Sequence, residues 1–175
     1  MKIREASIDD AEGIKDVYLK AFDDSEARKV AEFAVNLLNE QHPVRVISLV
    51  AIENNEIVGH VAFSPVFYAG TNEHFGYILA PLAVSPEFQK NAIGSSLVRY
   101  GLDAIAAMGS FVVFVYGDPQ YYSRFGFETG LARTFIPLYT LQYPEGWQAV
   151  NLNTTGISGG GQITCVDSLN DPELW

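Results

Sequence analysis

Residues Leu79–Leu102 read LAPLAVSPEFQKNAIGSSLVRYGL. The stretch opens inside an apolar run of strand character, Tyr77 to Val84. It breaks at Ser85-Pro86, crosses a polar link from Glu87 to Asn91, and enters a helix near Ala92-Ile93-Gly94. Strand, turn, glycine-bearing entry and helix, in that order, can hold a phosphate. The first backbone N–H groups of a helix lack intrahelical partners, and the helix dipole places partial positive charge there. Spacing alone fits an ordinary capped helix after a proline turn equally well.

Upstream, Lys2–Ala6 reads as a short strand. Ser7 before Ile8-Asp9-Asp10 marks a helix start, with acidic residues in the first turn. Ile14, Val17, Tyr18 and Phe22 then recur at helical spacing. A second helix begins near Asp24-Ser25, presents Val30, Phe33, Ala34, Leu37 and Leu38, and ends before His42-Pro43. Val46–Glu53 and Glu56–Phe67 form a hairpin around Asn54-Asn55. Ala69-Gly70-Thr71-Asn72 is the next turn, and Phe75–Val84 is a third strand. Pro81 inside that strand cannot donate to a ladder and marks an edge, a bulge or an opening of the sheet.

Downstream, Ile93, Leu97, Val98, Leu102 and Ile105 define one helix face, which glycine stops at Met108-Gly109. Phe111–Tyr116 is an apolar strand without polar alternation, as expected for burial on both faces. Strand, helix and strand make a right-handed βαβ crossover with parallel strands. Gly117-Asp118-Pro119 feeds a short helix, Gln120–Arg124. Trp147–Asn153 and Gln162–Asp167 are strand candidates, with Ser158-Gly159-Gly160-Gly161 a loop between them. The fold class is therefore α/β (α+β): a mixed, mostly antiparallel sheet with a βαβ crossover after its central strand and helices on both faces. The 175 residues are expected to form a single domain.

Acidic residues number 21 against 11 basic ones, for a net charge of −10. That balance disfavours nucleic-acid and anionic-membrane partners, which need basic surface. It suits a cationic or amine substrate, and it suits solubility alone. No apolar run reaches the roughly 20 residues a membrane span needs, and Met1–Glu5 carries no signal-peptide core, so a cytoplasmic location is expected. The one cysteine, Cys165, excludes an intrachain disulfide and disfavours a cysteine-based metal site.

Three segments resemble the GNAT superfamily of acyl-CoA-dependent N-acyltransferases. Leu79–Pro86 resembles the family's central strand and its ending. Gln89-Lys90-Asn91-Ala92-Ile93-Gly94 resembles its pyrophosphate signature, Gln/Arg-x-x-Gly-x-Gly/Ala, with Ala92 in place of the first glycine. Asp118-Pro119-Gln120-Tyr121-Tyr122-Ser123-Arg124-Phe125-Gly126-Phe127 resembles its Tyr-x-x-x-Gly-Phe ending. Ile3–Ala6 with Asp9–Ala11, and Ile57–Val61, are also similar to family segments. The likeness covers Lys2–Phe127 and is closest to a bacterial branch of N-acetyltransferases with a longer C-terminal tail.

The resemblance implies direct transfer of an acetyl group from acetyl-CoA to an amine, without a metal. It implies that backbone N–H groups of Gln89, Lys90, Asn91, Ala92, Ile93, Gly94 and Ser95 cradle the pyrophosphate, with Lys90 at the rim. Leu82, Ala83 and Val84 would pair with the pantetheine arm, and a backbone N–H there would polarise the thioester carbonyl. Tyr122 would protonate the departing thiolate. Ala92 can serve if its φ is negative. Tyr121 is Tyr122's neighbour, and consecutive helical residues face different directions. Arg124 either holds the short helix or lies beside the cofactor.

Candidates for the base that deprotonates the amine are His60, Glu73, His74, Asp24 and Glu26. For His60 the favoured reading is a packed sheet histidine. Cys165 reads as a small apolar strand residue rather than a nucleophile. A non-catalytic acyl-CoA-binding or sensor module is the alternative function. A dinucleotide-binding fold is weaker, because Gln89–Gly94 is not Gly-x-Gly-x-x-Gly. The segment Glu128–Trp175 is expected to complete the sheet and wall the acceptor site. Exposed aromatics there, such as Tyr139, Tyr143 and Trp147, offer a homodimer interface instead.

Overall fold

The computed structural model describes residues 1–153 and 159–175. Ser158 of the expected glycine loop lies outside the described residues. The chain divides into two compact units interleaved in sequence: residues 1–63 with 80–101, and residues 64–79 with 102–175.

In the first unit, β1 (Lys2–Glu5) leads through a 3-10 turn at Ile8–Asp10 into α1 (Ala11–Ala21), followed by α2 (Asp24–Leu38). Asp10 organises this entry. Its carboxylate accepts from the Ser7 backbone N–H at 2.7 Å, from the Ser7 hydroxyl at 3.1 Å, and from both Arg4 guanidinium nitrogens at 2.7 and 2.8 Å. The Arg4 hydrogen bonds, then those from Ser7, hold the Asp10 carboxyl at about 2, well below the ordinary carboxylate range, against the opposing effect of burial.

β2 (Ile47–Glu53) and β3 (Glu56–Tyr68) form the expected hairpin. Asn54 and Asn55 turn with φ of 50° and 66°, the left-handed conformation that asparagine tolerates and a two-residue hairpin turn demands. β4 (His74–Val84) follows, then α3 (Ile93–Ala107). The strand order in this unit is β1-β2-β3-β4, with β1 and β3 both antiparallel to β2. Ile14, Val17, Tyr18, Ala31, Ala34, Val50 and Ala83 make a buried cluster that seats α1 and α2 on the sheet.

The expected face of α3, namely Ile93, Leu97, Val98, Leu102 and Ile105, is buried. Two glycines, Gly59 on β3 and Gly101 on α3, let the helix lie close to that strand. A Cβ on Gly59 would stand 3.1 Å from Leu97 and 3.2 Å from Ile93, and one on Gly101 would stand 2.1 Å from the Phe63 ring.

The second unit takes the ends of β3 (from Ser64) and α3, the start of β4 (to Leu79), and the rest of the chain. Gly109 ends α3 with φ 81°. β5 (Val112–Tyr116) pairs parallel with β4 over Gly76–Leu79, which is the expected crossover. Phe111, expected inside β5, precedes it and is exposed. After α4 (Pro119–Tyr122) and a 3-10 turn, Ser123–Phe125, come α5 (Thr129–Ala132) and β6 (Phe135–Ile136). Neither α5 nor β6 is signalled in the sequence, because neither is long enough to show a period.

β7 (Trp147–Asn151) pairs antiparallel with β5. β8 (Gly161–Cys165) pairs antiparallel with the end of β3 and parallel with β6. Both strands are shorter than the sequence suggested. Phe114 holds this core together: it stacks on Trp147 at 5.1 Å and meets Phe135 edge-on at 5.1 Å. Trp147 is therefore buried, which corrects the expectation of an exposed aromatic. Tyr139 is partly covered by Trp175 at 6.2 Å between ring centres, and only Tyr143 of the three stands open to solvent. Among the described residues, no helix is long and apolar enough to cross a membrane.

Candidate functional site

The residues singled out by the sequence fall into two groups, one in each unit. The first is the end of β4 and the entry to α3. Burial alternates along Ala80–Val84, with Pro81 and Ala83 inward and Leu82 and Val84 half-exposed. The ladder to β5 runs only as far as Leu79. Beyond the strand, Ser85 N–H donates to Val58 C=O at 2.9 Å, and the Gln89 side-chain amide donates to Val84 C=O at 3.0 Å. These bonds tie the start of the Pro86–Asn91 link, and Gln89 within it, to β3 and to the end of β4.

The loop backbone then turns left-handed at two residues. Gln89 has φ −63°, Lys90 has φ 64°, and Ala92 has φ 59°, while Asn91 between them is not left-handed. Gln89 is extended, with ψ 161°, so the left-handed residues of the loop are Lys90 and Ala92. Among the described residues, the backbone N–H groups of Lys90, Asn91 and Ala92 meet no carbonyl. Those of Ile93, Gly94 and Ser95 open α3 and have no intrahelical acceptor. The first bond of the helix runs from Ser96 N–H to Ala92 C=O at 2.9 Å, and the Ser96 hydroxyl donates to the same oxygen at 3.0 Å.

Two expectations change here. Gln89 N–H donates to Pro86 C=O at 3.3 Å, so the donors narrow to Lys90 through Ser95. Ala92 does not have the negative φ under which alanine would be at ease. It holds a left-handed conformation, at a cost of about 1–2 kcal/mol for a residue with a Cβ. Ala92→Gly should therefore raise stability by about 0.5–1 kcal/mol, after allowance for glycine's larger unfolded-state entropy. Urea unfolding of the two proteins measures this, and a variant no more stable than the parent would show that the loop relaxes its strain elsewhere.

The second group surrounds α4. Asp118 Oδ1 accepts from Gln120 N–H at 2.9 Å and caps the helix, with Pro119 at its first position. Gly126, with φ 85°, closes the following turn. The two tyrosine rings of this short helix meet edge-on at 5.0 Å and then take different neighbours. Tyr121 lies under the Arg124 guanidinium, 4.4 Å from its ring centre, and Arg124 Nε donates to Tyr121 C=O at 3.0 Å. Arg124 thus holds the helix.

Tyr122 meets Phe127 edge-on at 5.7 Å and packs against Gly117, where a Cβ would stand 2.5 Å from the ring. Sequence reading missed Gly117. A glycine after an apolar strand signals only a turn, whereas here it makes room for the ring. Burial, then the neighbouring Tyr121 and Asp118, push the Tyr122 phenol above the ordinary tyrosine range. Its hydroxyl has no hydrogen-bond partner among the described residues.

The base candidates fare differently. His60 is fully buried between two hydroxyls, Tyr18 OH on Nδ1 and Ser48 Oγ on Nε2, each at 2.8 Å. Burial lowers its pKa to about 3. It is the packed sheet histidine the sequence favoured. His74 is half-buried against the Phe67 and Tyr77 rings, while Glu73, Asp24 and Glu26 are exposed. Burial pushes the Cys165 thiol up to about 12, so the side chain stays an unreactive thiol. Among the described residues there is no cluster of metal-ligating side chains.

A strand that outruns its parallel neighbour and feeds an anion-receptive helix entry is the arrangement of an acyl-CoA-dependent acyltransferase. Comparison with known proteins agrees. Residues 2–130 match the acetyltransferase (GNAT) domain family, and the chain belongs to that family. It is 33% identical to the uncharacterized N-acetyltransferase YjhQ of Escherichia coli K12, over 90% of this chain and 88% of that protein. It is 35% identical to the uncharacterized N-acetyltransferase YhbS of the same strain, over 68% of each. The crystal structure of E. coli YhbS in complex with CoA superposes with TM-score 0.85 and 28% identity, over 99% of this chain and 93% of that one. A Brucella melitensis GNAT acetyltransferase in complex with acetyl-CoA superposes with TM-score 0.71 and 25% identity, over 97% of each chain.

Proposed function

We propose that the chain transfers an acetyl group from acetyl-CoA directly to a primary amine. The observation that carries this reading is the left-handed backbone at Lys90 and Ala92, where N–H groups without a carbonyl partner lie at the start of α3 in a chain of the GNAT family. Solved relatives bound to CoA and acetyl-CoA support the choice of acyl donor.

In this reading the N–H groups of Lys90 through Ser95 hold the pyrophosphate, and the exposed Lys90 ammonium adds charge at the rim. Backbone groups of Leu82, Ala83 and Val84 pair with the pantetheine arm, and an N–H among them polarises the thioester carbonyl. Tyr122 gives its phenolic proton to the departing thiolate. The amine enters neutral and loses its proton to solvent after attack, since His60 is sealed in the first unit's core.

The test is thiol release from acetyl-CoA with a panel of primary amines. Turnover on at least one amine supports the proposal. Calorimetric binding of CoA with no turnover on any amine would favour the sensor reading, and no CoA binding would exclude both.

A further inference from the structure

Gln148 is a polar side chain only 1% exposed, on β7, outside the residues 2–130 that match the family. A buried amide is costly unless its hydrogens are bonded. Its Nε2 donates to Gly117 C=O at 3.2 Å and to Gly146 C=O at 3.3 Å. Gly117 N–H donates to the same Gly146 carbonyl at 3.0 Å. Backbone and side chain thus join the turn after β5 to the turn before β7. The approach is close: a Cβ on Gly146 would stand 2.9 Å from the Tyr116 ring and 3.1 Å from the Gly117 oxygen.

Two of the residues that the Tyr122 ring packs against are held from this strand. The ring lies against Gly117, whose carbonyl takes the Gln148 bond and whose neighbour Asp118 caps α4. It also meets Phe127 edge-on, and the next residue, Glu128, exchanges backbone bonds of 2.8 and 3.1 Å with Ala149. All of these residues belong to the second unit. The Ala149 tie is main-chain, so many residues could make it. The Gln148 tie needs a side chain with N–H donors; an apolar one of the same size would fill the space and leave the Gly117 carbonyl unbonded.

α4 is one turn long, too short to fix a side chain by itself. We infer that Gln148 is a positioning residue for Tyr122. By holding the Gly117 carbonyl it fixes the surface against which the ring lies, and so the direction of the phenolic hydroxyl. The inference rests on the reading of Tyr122 as proton donor. In that step the phenolic O–H bond breaks, the proton goes to the CoA thiolate, and solvent reprotonates the phenolate. Gln148 exchanges no proton.

Gln148→Met keeps the length of the side chain and removes the donor. With the fastest primary amine of the panel, it should lower kcat for thiol release from acetyl-CoA about tenfold or more, as a misplaced reacting group does. KM for acetyl-CoA should not change. In a Tyr122→Phe background the same substitution should cost almost nothing, because the group it positions is gone. Fluorine NMR of protein labelled with fluorotyrosine reads the ring without turnover, the Tyr122 signal being assigned by its loss in Tyr122→Phe. That signal should shift or broaden in Gln148→Met. Gly117→Ala crowds the ring directly and should act the same way, so it carries the test if Gln148→Met does not fold. A Tyr122 signal and a kcat equal to the parent's in either variant would overturn the assignment. So would an equal loss of kcat with and without the Tyr122 hydroxyl. Tyr122→Phe as fast as the parent would instead overturn the proton-donor reading, and no turnover on any amine the acetyltransferase reading. The fluorine signal then still decides whether Gln148 holds the ring.

Discussion

Tyr122→Phe should lower the rate of thiol release from acetyl-CoA by about 10²-fold or more, the usual scale of general acid catalysis. The substitution is clean. Phenylalanine keeps the ring against Gly117 and its edge contact with Phe127, and the lost hydroxyl has no partner among the described residues. Fold and stability should therefore be preserved, so a slower variant reports on chemistry. The raised phenol pKa adds a pH signature. A tyrosine held above its ordinary range stays protonated throughout the working range, so its ionisation contributes no fall in rate on the basic side below about pH 10. Tyr121→Phe should leave the rate within a few-fold, because that ring is covered by Arg124. If Tyr122→Phe turns over as fast as the parent on a good amine, another group donates the proton.

Acidification should destabilise the protein through His60. The unfolded chain binds a proton at this residue below about pH 6.5, whereas the folded protein resists it until about pH 3. Between those values the unfolded state holds more protons, so stability falls as pH falls, by about 1.4 kcal/mol per unit at full effect. Over that window the loss is about 4 kcal/mol, a large share of an ordinary domain's stability. Asp10 adds to it only at the acid end, between its unfolded value near 3.8 and its folded value of about 2. His60→Gln isolates the histidine: glutamine can bond both Tyr18 and Ser48 but does not titrate. Its stability at pH 7 should be lower than the parent's, and its slope between pH 6 and 4 shallower by about one proton. Urea unfolding at several pH values measures both slopes. Parallel slopes would mean that His60 charges without unfolding the core.

Whatever has a period or an obligatory turn residue was legible in the chain. The five-residue face of α3 was read from helical spacing, and every member of it is buried. Asn54-Asn55 announced the hairpin because so few side chains accept its backbone. The crossover followed from strand, helix and strand, since parallel neighbours need such a connection. Short elements were not legible: α5 and β6 exist through pairing and packing rather than propensity. Nor was the exposure of the tail's aromatics, since Trp147 is buried by the ring of Phe114, a residue far from it in sequence.

The phosphate-binding stretch shows the same division. Composition and order from Leu79 to Leu102 determined that a strand would end at a proline turn and a helix begin near Ile93. They did not determine the hand of the backbone at Ala92, because alanine alone prefers negative φ. In the structure Ala92 is left-handed against that preference, at the end of a loop held by Ser85 on Val58 and Gln89 on Val84. Likewise the sequence marked Tyr122 by its distance from Gly126-Phe127, while only the tertiary structure gave the ring its place against Gly117 and set its phenol above the usual range. Local spacing fixes which groups are present; burial and contacts between distant residues fix their conformation and their proton affinity.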